Sequence, residues 1–253
     1  MSSTAIQPGL YLGLMSGTSM DGIDAALVEF ETQSCRVLAA QTFRYARELR
    51  EALSVASKNP DRCAIDEIGR LDHWVAESFR DAVLDLLKES ATSAEDIVAI
   101  GSHGQTLRHR PRAERPYTLQ LGDPNIIANG TGITTVADFR RCDLALGGEG
   151  APLAPGFHQW AFSSGSPLVI VNIGGFANIT VLGDDDAAVT GFDTGPGNTL
   201  MDGWCMRHRG EPYDENGNWA ASGSTHDNLL RDMLTDPYFT LEPPKSTGFE
   251  YFH

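Results

Sequence analysis

GLMSGTSMDGIDAALV, residues 13–28, decides how the rest of the chain is read. An apolar run from Leu10 to Met15 enters a turn built from Ser16, Gly17, Thr18, Ser19, Asp21 and Gly22. A second run, Ile23 with Ala25 to Val28, leaves it. The pattern predicts a strand, a tight small-residue turn and a returning strand. Glycines let a ligand approach the backbone closely, and the hydroxyls and N–H groups of such a turn suit an anion, phosphate above all. By spacing alone, an ordinary hairpin with a polar loop is the simpler reading. Hydroxyls on both sides of Gly17 and carboxylates at Asp21 and Asp24 favour a nucleotide-phosphate site with metal-bound water.

The 253 residues, 41% hydrophobic, can bury one large core or two modest ones. A formal charge of −15 argues against a nucleic-acid partner, which needs a basic surface. Cys35, Cys63, Cys142 and Cys205 are scattered without a CxxC pair, as expected of a reducing compartment rather than a disulfide scaffold or zinc site. The N-terminus lacks the charged and apolar regions of a secretory signal, and no apolar run has the length of a membrane span. The expectation is a cytoplasmic protein without a membrane partner.

Further along, residues 29–43 read as more strand, Tyr45 to Ser57 as a helix, and Ala64 to Glu89 as a long helix. Ile65, Ile68, Leu71, Trp74, Val75, Phe79, Val83, Leu86 and Leu87 mark the buried stripe of that long helix. A short strand, Ile97 to Gly101, is expected to end in the polar turn Ser102 to Thr106, and Tyr117 to Leu121 is a further strand. Asp123 caps a brief helix started by Pro124, and Thr134 to Ala137 is a strand opening into residues 138–152. Leu168 to Asn172, a turn at Gly174-Gly175, Asn178 to Leu182, a turn through residues 183–186, and Ala187 to Gly191 then repeat the strand, glycine turn and strand of the N-terminus. This echo suggests a duplicated architecture joined near Gly132, with domains at 1–132 and 133–253.

Four polar turns are expected to follow strands: Ser16 to Gly22, Ser102 to Gln105, Asn172 to Gly175 and Gly191 to Asn198. Loops at the strand ends of one sheet tend to share an edge, where ligands sit. Asp193 is expected at the tip of a strand, near a helix starting at Asn198, where a capping role and a general-base role are equally open. In phosphoryl transfer a protein mainly positions groups and stabilises charge, with Mg²⁺ bridging phosphates. Backbone N–H groups at Gly17 to Ser19 and at Gly174 and Gly175 are candidates for holding phosphates. Asp21 and Asp24 are candidates for holding Mg²⁺ through water. The Arg140 and Arg141 pair reads as exposed charge, or as a bidentate partner of a substrate carboxylate. His103 reads first as a satisfied histidine at a strand end, with ligand contact as the alternative. No metal-ligand cluster is legible, and the metal ligands stay unassigned.

The opening string resembles the phosphate-binding signature of anhydro-N-acetylmuramic acid kinases, within the acetate and sugar kinase/Hsc70/actin superfamily. GSHGQT (101–106), QLGDP (120–124), VADFRR (136–141), GGEGAPL (147–153), NIGGFANIT (172–180), GFDTGPGN (191–198) and PPKSTG (243–248) resemble further segments of that family, in family order. The resemblance implies an α/β fold of two RNase H-like domains around a cleft, commonly dimeric, the second domain here incomplete. It implies an ATP-dependent enzyme of cell-wall recycling, with Mg²⁺, that opens the anhydro ring of 1,6-anhydro-N-acetylmuramic acid with water and phosphorylates O6. Asp193 matches the family's catalytic base. Gly17, Thr18, Ser19, Met20, Asp21, Gly22, Ile23 and Asp24 match its ATP-phosphate segment.

The resemblance also implies a longer protein, with roughly a third of a typical member lying beyond His253, including the segment that holds adenosine. After KSTG the family continues with arginine and glutamate where this chain has Phe249-Glu250, and Cys142 stands where many relatives carry arginine. The expectation is therefore a C-terminally truncated kinase. Its alternative is a non-catalytic remnant that binds sugar or a partner without turnover, and a kinase for another sugar or acid of the same superfamily is the weaker third reading.

Overall fold

The apolar residues of the opening hairpin alternate, and the alternation sets one face of a sheet. In the computed structural model, which describes residues 6–17, 20, 22–59, 63–162, 166–183, 189–248 and 251–252, Gly9–Ser16 (β1) and Gly22–Phe30 (β2) pair antiparallel, with Leu12 opposite Leu27 and Leu14 opposite Ala25. Leu12, Leu14, Ile23, Ala25 and Leu27 are buried on one side, while Gly13, Met15 and Asp24 lie on the other. Cys35–Arg44 (β3) extends the meander as an edge strand. Val37 and Leu38, read in sequence as its apolar stretch, are exposed, because an edge strand has cover on fewer sides.

Arg47–Lys58 (α1) and Ile65–Glu89 (α2) cover the buried side. In α2, Leu71, Val75, Phe79, Val83, Leu86 and Leu87 enter the core, and Ile68 and Trp74 pack at its margin. Ile65 does not, being 78% exposed in the first turn. The chain returns as Ile97–Arg110 (β4), parallel to β1, followed by Tyr117–Leu121 (β5) antiparallel to β4. Pro124–Thr131 (α3) is capped by Asp123, whose carboxylate accepts from the Asn125 N–H at 2.8 Å, and Gly132 ends it in the left-handed conformation. Thr135–Val136 (β6) pairs parallel with β4, and Phe139–Ala145 (α4) follows. The sheet is mixed, in the order β3-β2-β1-β4-β5, with β6 also on β4.

These elements form one compact unit ending at Gly150, and residues from Ala151 form a second. The join thus falls later than Gly132, because β6 pairs with a strand of the first sheet and α4 hydrogen-bonds into it. In the second unit, Ala154–Phe162 (α5) precedes Leu168–Ile173 (β7), Phe176–Leu182 (β8) and Val189–Pro196 (β9), an antiparallel meander in the order β7-β8-β9. Thr199–Arg209 (α6), Asn218–Ala221 (α7) and Asp227–Met233 (α8) complete its helices. The expected echo of the N-terminal hairpin is present: each unit carries a three-stranded antiparallel meander whose first two strands are joined at glycines. Among the described residues no helix is long and apolar enough to cross a membrane.

Candidate functional site

Ser102 to Gln105 is not a turn after a short strand. It lies inside β4, which continues to Arg110. The break that sequence reading sensed is a bulge: Leu14 pairs with Ser102 but Ser16 with Gln105, so three residues of β4 oppose two of β1. Gly104 makes it possible, with φ +74° and a position where a Cβ would stand 2.5 Å from the Leu121 carbonyl oxygen. Ile100 and Ser102 face the core and His103 faces away; the extra residue then returns Gln105 to the core side, beside Ser16.

Gln105 is fully buried, with its carboxamide hydrogen-bonded to the expected phosphate turn and to the next residue of β4. Its Nε2 donates to the Gly17 carbonyl at 3.0 Å and to the Thr106 carbonyl at 3.3 Å. Two carbonyls on that side fix which end of the carboxamide is the NH₂. Ser16 Oγ lies 2.7 Å from Gln105 Oε1 and 2.6 Å from the Gly22 carbonyl, so its one proton is shared between them. The Met20 N–H closes a turn on the Gly17 carbonyl at 3.2 Å, with Met20 itself left-handed at φ 55°. Met20 and Ile23 side chains are buried in the core, the Met20 N–H is spent within the turn, and Ile23 pairs with Phe43 of β3. Thr18, Ser19 and Asp21 lie outside the described residues. Asp24 is exposed on the far face, where it accepts from Thr42 Oγ1 at 2.6 Å. With Gly13, Met15, Gly101, His103 and Phe139 it borders a cavity of about 640 Å³. Among the described residues no three His, Cys, Asp or Glu side chains cluster as a metal site.

Of the three substrate-side candidates, the structure brings two together. Arg140 lies on α4, and its Nε donates to His103 Nε2 at 2.8 Å, while His103 Nδ1 donates to the Gly104 carbonyl at 2.8 Å. The imidazole is therefore neutral with its proton on Nδ1. Burial, reinforced by the Arg140 guanidinium, holds it down to about 4. Arg140 Nη1 also donates to the Gly150 carbonyl at 2.6 Å, and Asp143 Oδ2 accepts from the Gly150 N–H at 2.6 Å, so loop 146–150 is tied back to α4. Arg141 is elsewhere: half-exposed, 3.5 Å from Asp138 and 3.5 Å from the Thr118 carbonyl.

In the second unit, Gly174 and Gly175 turn their carbonyls toward the start of α6. The Gly174 carbonyl accepts from Asn198 N–H, and the Gly175 carbonyl from Gly197 N–H and the Thr199 hydroxyl. A Cβ on Gly197 would lie 2.1 Å from the Gly174 carbonyl oxygen, which is why the GPGN stretch needs glycine there. The turn thus caps α6 and supplies acceptors to it.

Asp193 is within β9 rather than at its tip, because β9 continues to Pro196, and it is 7% exposed. Its N–H donates to the Lys245 carbonyl at 3.0 Å, its carbonyl accepts from the Tyr238 hydroxyl at 2.8 Å, and its Oδ2 accepts from the Thr247 N–H at 2.9 Å. The Lys245 ammonium, itself 6% exposed, donates to the Tyr238 carbonyl at 3.2 Å and sits over the Tyr238 and Phe192 rings. Segment 236–247 therefore clasps the outer edge of β9. Sequence reading recognised PPKSTG as a family segment but not this service, since nothing local links residue 193 to residues 238–247. In the sequence Gln105 ends an expected polar turn, and no local signal gives it a role.

The family model described as "Anhydro-N-acetylmuramic acid kinase" matches residues 9–253. Proteins named anhydro-N-acetylmuramic acid kinase from Xanthomonas campestris pv. campestris (strain 8004) and Shewanella sp. (strain MR-4) are each 52% identical, over 248 and 244 residues, covering 96% of this chain. The chain spans 66% of the length of each. Among solved structures, a Ppx/GppA family member from Aquifex aeolicus aligns with 94% of this chain and 64% of its own at 8% identity and a TM-score of 0.41, too distant to argue from.

Proposed function

The chain belongs to the anhydro-N-acetylmuramic acid kinase family, and from that premise we propose that it serves ATP-dependent phosphoryl transfer to 1,6-anhydro-N-acetylmuramic acid. In this reading water attacks the anomeric carbon, the 1,6-anhydro bridge opens, and O6 takes the γ-phosphoryl group, giving N-acetylmuramic acid 6-phosphate and ADP. Asp193 takes the proton from the attacking water. The observation that carries the reading is the placement of that side chain: Asp193 is 7% exposed, the Thr247 N–H donates to its Oδ2, and bonds from its N–H to the Lys245 carbonyl and to its carbonyl from the Tyr238 hydroxyl hold the residue in place. The resemblance to the family's catalytic base falls on the same residue.

The first unit contributes the turn at residues 16–24 for the ATP phosphates. Residues 18, 19 and 21 enter this assignment by resemblance; of the second unit's glycines, Gly174 already donates its N–H to the Phe176 carbonyl at 3.3 Å, which leaves the Gly175 N–H as the candidate there. Arg140 meets the lactyl carboxylate of the sugar, with His103 behind it as the residue that orients it. A neutral imidazole accepting from the arginine Nε holds the guanidinium in one orientation without competing for the anion; Arg141 is the weaker member of that set. Mg²⁺ fits the donor set, since one exposed carboxylate at Asp24 suits a cation held mostly by phosphates and water. Bound there, it would neutralise charge on the transferring phosphoryl group. We propose in addition that both units are RNase H-like and that the protein is cytoplasmic and dimeric.

Because the chain spans 66% of its relatives' length, a second reading stands beside this one: binding of the sugar or a partner without turnover. Incubating the purified 253-residue chain with ATP, Mg²⁺ and the anhydro-sugar separates the two. Appearance of the 6-phosphate supports the kinase. Sugar binding by calorimetry with no product supports the second reading, and turnover of a different sugar contradicts the substrate assignment.

A further inference from the structure

We propose that Gln105 is a positioning residue for the phosphate turn: its buried carboxamide draws the Gly17 carbonyl to the inside, so that this acceptor is turned away from an incoming phosphate. The proposal rests on the phosphate reading of residues 16–24. Carbonyl oxygens carry partial negative charge, and a turn binds anions only when its carbonyls point elsewhere. Gly17 O accepts two hydrogen bonds, one from Gln105 Nε2 beneath the turn and one from the Met20 N–H within it. The other end of the turn is tied to the same side chain, since Ser16 Oγ bridges Gln105 Oε1 and the Gly22 carbonyl. One carboxamide on the neighbouring strand thereby holds the entry of the turn directly and meets its exit through Ser16.

Burying an amide is costly unless its hydrogen bonds are made, and here they are made to the turn and to Thr106. The β4 bulge carries Gln105 to the core side, and Leu107 after it: strict alternation from Ser102 would place Gln105 on the His103 face, away from Ser16. The underside of the turn is polar within the core: Ser102 Oγ is buried there, and the buried Tyr45 hydroxyl faces Ser16, with burial pushing its phenol well up. A turn prepared in this way loses less conformational freedom when phosphate binds.

Gln105→Met keeps the length and bulk of the side chain and removes both donors, and Gln105→Glu keeps its shape while replacing the donor with an acceptor. Each is compared with the parent for ATP–Mg²⁺ and anhydro-sugar affinity by calorimetry, and for amide hydrogen exchange at Met20 without ligand; thermal unfolding confirms that the variants fold. The expected result is ATP affinity weakened about tenfold or more, sugar affinity held within about twofold, and Met20 exchange accelerated about tenfold. Equal weakening of both ligands, as from a general loss of stability, overturns the proposal, and so does unchanged Met20 exchange in both variants. If the parent itself binds no ATP, the phosphate reading of the turn falls, and the exchange arm alone decides whether Gln105 shapes it.

Discussion

The Tyr238 hydroxyl and the Asp193 carbonyl meet out of solvent, 45 positions apart in sequence. Tyr238→Phe keeps the ring under Lys245 and removes that bond, so it is expected to cost about 1–2 kcal/mol in urea unfolding. Its effect on turnover is expected to be a lower kcat with little change in the KM for sugar, because it loosens the backbone of Asp193, the proposed base. The residue scale is also where sequence reading reached least far. Asp193 itself was legible, from its place among glycines and from the resemblance. Its partners were not, because bonds from residues 238, 245 and 247 depend on how segment 236–247 returns to β9. Gln105 was hidden for a different reason: a one-residue bulge changes which face a side chain takes, and alternation counted from Ile100 assigns it to the opposite side.

At the scale of elements, much of the fold was legible where local chemistry agrees with packing. The opening hairpin, α2 with its three-and-four spacing, the Asp123 cap of α3 and the β7–β8 hairpin form where composition and turn residues place them. The failures fall where tertiary pairing overrides a local stop signal. SHGQT contains a glycine and polar residues, yet β1 and β5 on its two sides carry it through as strand. Gly104→Ala tests this directly. The left-handed backbone alone costs about 1–2 kcal/mol, and the contact with the Leu121 carbonyl adds to it. The variant is therefore expected to lose at least about 2 kcal/mol and to show the same faster Met20 exchange as Gln105→Met. Phe79→Ala, at the fully buried centre of α2, is expected to cost about 3–5 kcal/mol, as a cavity in a packed core does.

At the scale of the whole molecule, acidity acts through two histidines of the first unit. His103 and His109 are both held down to about 4 from an ordinary 6.5, first by burial and then by nearby arginines. A base whose folded value is depressed leaves the unfolded chain binding more protons between the two values. Stability is then full above about 6.5 and is lost as pH falls toward 4. The melting temperature is expected to drop between about pH 7 and pH 4.5, and His103→Gln is expected to show a smaller drop than the parent across that window. A parent whose stability stays flat there would contradict the buried, neutral His103–Arg140 pair. The central claim, that Asp193 is the base of a phosphoryl-transferring sugar kinase, is tested most directly by Asp193→Asn assayed beside the parent with ATP, Mg²⁺ and anhydro-N-acetylmuramic acid. The parent is expected to form the 6-phosphate, and a variant that still melts cooperatively is expected to do so at least about 10³-fold more slowly; product formed by the variant at the parent's rate rules out Asp193 as the base.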